Sequence, residues 1–129
     1  GEMKVRIKNQ INKTVVEELT AKVMGSGRLD VFATPAMVAM MEEAAHTSVE
    51  NELEEGQGTV GTSMTVSHLA ATPVGMEVTC ESELVEVDGR KLVFEIKAMD
   101  EAGLIGEARH ERFIIENEKF LAKTNAKLK

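Results

Sequence analysis

Glu42 stands where the sequence calls for an apolar residue. Hydrophobic residues recur at helical spacing from Pro35 to about Leu53, and Val38, Ala45 and Val49 gather around the direction in which Glu42 points. Its neighbour Glu43 falls instead with His46, Thr47 and Glu50 on the polar stripe of the same helix. Glu42 is therefore expected to be buried, and a buried acid has a polar partner, carries a proton or does chemistry. His68 is one candidate partner, in phase with Val60, Met64 and Val66 on the apolar face of a strand. A core-facing glutamate and histidine can act as an acid/base pair, the carboxylate orienting the imidazole or activating water; they can equally form a hydrogen-bonded structural pair. Arg112 shares a strand face with Gly106, Ala108 and His110, whose small members leave room for it to reach an acid such as Glu42 or an acyl group. Thr34 precedes Pro35 and is expected to cap the helix. Eight residues separate Thr34 from Glu42, about 12 Å along a helix axis, so one shared site requires a bound substrate, a kinked helix start or a second subunit.

The elements that must position these residues follow from periodicity. Val5 and Ile7 alternate with Lys4, Arg6 and Lys8, which predicts a first strand from Met3 to about Gln10. Asn12 to Val23 is compatible with a helical turn or a strand, and Gly25-Ser26-Gly27 marks a loop. The main helix ends at Glu54-Glu55-Gly56-Gln57-Gly58, after which the period changes to two. Val60, Thr62, Met64, Val66 and His68 are expected on one strand face, with Thr59, Gly61, Ser63, Thr65 and Ser67 on the other. Three more strands follow, Met76 to Val87, Lys91 to Met99 and Leu104 to about Glu116, joined at Asp88-Gly89 and Asp100-Glu101-Ala102-Gly103. The basic stretch from Lys119 to Lys129 is expected to fray. One long helix followed by four antiparallel strands makes a single α+β domain, residues 1–129, whose sheet curls around or packs onto the helix.

Composition narrows the chemistry. A net charge of −7 and only four Phe, with neither Trp nor Tyr, argue against a nucleic-acid partner, which needs basic patches and aromatic platforms. Eight Met supply adaptable core filling that also suits a flexible acyl chain. Cys80 alternates with core residues and reads as a small buried hydrophobe; a lone cysteine forms no internal disulfide. No run approaches a membrane span and no signal peptide is apparent, so the expectation is a cytoplasmic protein with no membrane partner. Nucleotide-binding, serine-hydrolase and zinc motifs are missing, and neither a metal nor a cofactor is expected.

Several segments carry a family resemblance. Val31-Phe32-Ala33-Thr34, Met41-Glu42, Val60-Gly61-Thr62, Val66-Ser67-His68, Ala70-Ala71-Thr72-Pro73-Val74-Gly75 and His110-Glu111-Arg112 resemble the hotdog-fold thioesterases related to fluoroacetyl-CoA thioesterase, over about Val31 to Lys123. The resemblance implies a hotdog fold, a homodimer that pairs its sheets, and an active site near the dimer interface. It implies hydrolysis of a short or medium acyl-CoA thioester, CoA entering as part of the substrate, with Thr34, Glu42 and His68 as the catalytic set. Gly61 would line the acyl pocket and let a thioester carbonyl approach backbone N–H groups, and Arg112 would lie close to the acyl group. Where the fluoroacetyl-specific enzyme has a Phe-bearing lid ahead of its catalytic Thr, Gly25-Ser26-Gly27-Arg28-Leu29-Asp30 contains no aromatic residue. Hydratase or dehydratase chemistry on the same fold, and a non-catalytic acyl-CoA-binding module, remain open at this level.

Overall fold

In the computed structural model, which describes residues 3–128, the periodic run becomes one long helix, α2, over Thr34–Ser48. It is shorter than expected: Val49 closes it, and Glu50–Glu52 continue only as a 3-10 turn. The strands are β1 (Lys8–Thr14), β2 (Gln57–His68), β3 (Glu77–Asp88), β4 (Lys91–Asp100) and β5 (Gly103–Glu116). They form one antiparallel sheet in the order β1-β3-β4-β5-β2, so β1 and β2 are its edges. This is the α+β arrangement that the periodicity predicts, and the hotdog fold that the resemblance implies.

Met37, Met40, Met41, Ala44 and Ala45 of α2 are buried, and the helix packs on a sheet face built from Val78, Cys80, Leu84, Phe94, Ile96 and Ala98. The methionines thus fill the core, in keeping with their expected role. Cys80 is inert within it: burial pushes its thiol up to about 12. The far end of α2 is tied to the sheet because Asn9 Nδ2 donates to the Ala44 carbonyl (3.0 Å) and Thr47 Oγ1 (2.9 Å), while Ser82 Oγ donates to the same carbonyl (3.2 Å). The near end is tied by backbone bonds from Phe32 to Thr72 and from Ala33 to Leu19, both 2.9 Å.

Four local expectations are corrected. The first strand starts at Lys8, after a turn in which Arg6 takes φ 78°, a left-handed conformation that breaks the extended run. Asn12 to Val23 is neither one strand nor one helix: β1 ends at Thr14, a 3-10 turn spans Glu17–Leu19, and a short helix, α1, covers Ala21–Met24. The basic tail forms a helix, α3 (Asn117–Asn125), exposed along its length.

The fourth correction concerns β2. Its register against β5 runs Thr59 to Ile114 and Gly61 to Arg112, then Ser63 to Glu111 and Met64 to His110, so Thr62 is an extra residue in a β-bulge. A bulge shifts the period-two alternation by one. Thr59 and Gly61 consequently share the helix-facing side with Met64, Val66 and His68, whereas Val60 and Thr62 do not.

Candidate active site

Gly61 leaves room for a carboxylate. A methyl group built on it would lie 2.8 Å from Glu42 Oε2, 3.2 Å from His110 Cε1 and 3.3 Å from Arg112 Nη1. The missing side chain therefore makes space for the protein's own charged groups. Arg112 is buried, and every nitrogen of its guanidinium is engaged: Nε donates to Thr59 Oγ1 (2.9 Å), Nη2 to the Thr59 carbonyl (3.0 Å), and Nη1 to Glu42 Oε2 (3.2 Å). Burial pulls the Arg112 pKa down, and the adjacent Glu42 charge opposes the shift. Of the two roles open to Arg112, tethering Glu42 is the one observed. Glu42 itself is not buried as expected; its side chain is 41% exposed, because α2 turns it to the margin of the core beside the edge strand. One face of the carboxylate is fixed and the other faces outward.

His110 completes this cluster. Its Nδ1 lies 2.8 Å from the Ser63 carbonyl and its Nε2 lies 3.1 Å from Arg112 Nη1. A carbonyl only accepts and a guanidinium only donates, so both contacts are satisfied by a neutral imidazole protonated on Nδ1. Burial, chiefly, lowers the His110 pKa, and the Arg112 charge works in the same direction, against the Ser63 carbonyl and Glu42. The 4.0 Å approach of Nε2 to Glu42 is accordingly not an ion pair.

A second cluster lies elsewhere. Thr34 does not cap α2: Ala33 holds the cap position, and the Thr34 hydroxyl sits 2.7 Å from His68 Nδ1. His68 Nε2 is buried with no hydrogen-bond partner. Desolvation lowers the His68 pKa below the ordinary imidazole value, with the Ala70 backbone opposing. The pair borders a cavity of about 310 Å³ lined also by Ser26, Phe32 and Leu69.

The two clusters do not meet within one chain. His68 is opposite Gly106 and Gly61 is opposite Arg112, a six-residue interval on β5 that spans about 20 Å. The direct Glu42–His68 pair considered from periodicity is thus replaced by two separate pairings, Glu42 with Arg112 and Thr34 with His68.

The model of the fluoroacetyl-CoA-specific thioesterase family, FlK, matches residues 15–118. The chain belongs to this family. The fluoroacetyl-CoA thioesterase of Streptantibioticus cattleyicolor is 45% identical over 98 residues, covering 76% of this chain and 70% of that protein. A solved structure of the fluoroacetyl-CoA thioesterase FlK superimposes with a TM-score of 0.93 at 36% identity, covering 100% of both chains. A Thermus thermophilus protein of the thioesterase superfamily does so with a TM-score of 0.89 at 28% identity, covering 97% of this chain and 93% of that one.

In this FlK-family chain, Thr34, Glu42, Gly61, His68 and Arg112, the candidates from the sequence, each border one of the two clusters. Thr59 and His110 were not assigned a role. Strict alternation puts Thr59 on the opposite face, because the bulge cannot be seen in an alternation that reads equally well on either side of it. His110 did carry a signal, its phase with Arg112 two residues away.

Proposed function

We propose that the chain hydrolyses the thioester of a short or medium acyl-CoA to the free acid and CoA, as a homodimer in which each site takes Glu42 from one chain and Thr34 with His68 from the other. The observation that carries this reading is the division of the site: an anchored, half-exposed carboxylate in one place and an imidazole with a buried, unpartnered nitrogen in another. β2 supplies a means of joining them. As an edge strand its outer row of backbone groups is open to a second strand. If two β2 strands pair antiparallel about Thr65, with the bulged Thr62 of each left out of the pairing, Met64 comes opposite Val66 and His68 of one chain opposite Gly61 of the other. That arrangement would set His68 beside Glu42 across the interface.

In such a site Glu42 acts at the thioester carbonyl, directly or through water. The C–S bond breaks as the thioester carbonyl carbon gains an oxygen, from water or first from Glu42 and then from water, and the proton that the water gives up is passed through His68 Nε2 to the leaving sulfur, with Thr34 holding the imidazole through Nδ1. The reaction as written uses no cofactor beyond the CoA of the substrate. Among the described residues no helix is long and apolar enough to cross a membrane. The segment Gly25 to Asp30 has no aromatic residue to close over a two-carbon acyl group, which supports an acyl range wider than fluoroacetyl.

The test is thiol release over a panel of acyl-CoAs of increasing chain length, alongside a 2-enoyl-CoA. Turnover of saturated thioesters is expected. Loss of the enoyl absorbance without thiol release would instead indicate a hydratase, and binding without turnover a carrier.

A further inference from the structure

His110 is the most enclosed polar side chain in the site, 1% exposed, and the mechanism above gives it nothing to do. Its contacts nevertheless join three elements. Through Nδ1–H it holds the Ser63 carbonyl of β2, the residue immediately after the bulge that brings Gly61 to the helix-facing side. Through Nε2 it accepts from the same Arg112 nitrogen that binds Glu42. The Phe94 ring of β4 lies against it, with centroids 6.2 Å apart, and contributes no charge. The only acid facing it among the described residues is Glu42 of α2, at 4.0 Å.

We propose that His110 is a positioning residue for the hydrolysis, acting through Arg112 on the Glu42 carboxylate and through Ser63 on the bulge that presents Gly61. The inference rests on the thioesterase reading. Arg112 Nη1 is shared between an acceptor on its own strand and the carboxylate on α2, and without the first acceptor a buried guanidinium has to turn to keep its hydrogen bonds. Glu42 moves with it. Protonated on both nitrogens, His110 would face Arg112 with an N–H, donor against donor and cation against cation, so the neutral Nδ1–H form is the one that supports the site.

Two substitutions separate this role from packing. His110→Gln offers an amide oxygen to Arg112 and an amide N–H to Ser63, while His110→Leu fills similar space and offers neither. Positioning predicts that His110→Leu lowers kcat on the order of 10- to 100-fold with KM little changed, the scale of a displacement of about 1 Å in a reacting group. His110→Gln retains most of kcat. Packing predicts the opposite order, and equal or better activity in His110→Leu overturns the proposal. Long-range proton–nitrogen correlation spectra of the wild-type imidazoles give a reading that needs neither variant nor activity: a neutral His110 protonated on Nδ1 at neutral pH is expected, and protonation on Nε2 overturns it. A wild-type protein that releases no thiol from any acyl-CoA defeats the thioesterase reading instead, and the spectra still decide the state of His110.

Discussion

Glu42→Gln is expected to lower kcat for thiol release by about 10²–10⁴-fold, the usual contribution of a positioned acid/base group. The substitution keeps the size of the side chain and an oxygen for Arg112 Nη1, which in the native protein lies 3.2 Å from Glu42 Oε2. What it removes is the charge and the ability to take a proton or attack a carbonyl. Glu42→Ala serves as the harsher control. It leaves a buried guanidinium with only Thr59 and His110 as partners, and removing one member of such a pair destabilises the fold as well as the chemistry. Steady-state kinetics with a thermal melt on both variants separates the two effects. A loss below about tenfold in a folded Glu42→Ala protein would count against a catalytic Glu42.

The second large effect is predicted for Gly61→Ala. A single methyl group there meets Glu42 Oε2 at 2.8 Å, closer than real side-chain carbons approach, and it meets His110 and Arg112 within 3.3 Å. His110 and Arg112 are buried and fixed by their hydrogen bonds, so the half-exposed carboxylate is the group that yields. Displacing it by about 1 Å is expected to cost on the order of 10²-fold in kcat. Because the strain is relieved by the far end of a flexible side chain, the melting temperature should move little. Wild-type kcat in Gly61→Ala would mean that the position of Glu42 is immaterial to turnover; a large fall in melting temperature with kcat intact would mean that the close approach is purely structural.

Much of this site was legible in the sequence, and the failures have physical causes. Glu42 was found as a charge out of phase on a helix, and Arg112 as a long cation on a face of small residues. Both inferences rest on periods that the elements keep. Where an element breaks its period, pattern reading fails: the bulge at Thr62 moved Thr59 and Gly61 to the face the alternation denied them. Thr34 failed differently. Its residue type suits a cap, but the backbone places Ala33 at the cap and leaves the Thr34 hydroxyl for His68, a partner 34 residues away. Local propensity gives no hint of that choice. Nor does any spacing reveal the tautomer of His110, which is set jointly by a carbonyl on β2 and a guanidinium on its own strand.

Within one chain the two clusters stay apart. The helix axis alone keeps Thr34 about 12 Å from Glu42, and the sheet register carries His68 farther still from Gly61. In the proposed dimer the edge strand β2 closes that gap, since a partner's β2 is what would bring a second Thr34–His68 pair to Glu42. Each chain would contribute half of two sites.

That claim is tested most directly by mixing two inactive proteins. Glu42→Gln and His68→Asn are each purified, unfolded together, refolded and assayed for thiol release. If the sites are shared, a mixed dimer holds one site with both substitutions and one with neither, so random pairing restores about a quarter of wild-type activity per site. If each site were built within one chain, every site in the mixture would carry one substitution, and activity would stay at the level of the separate variants.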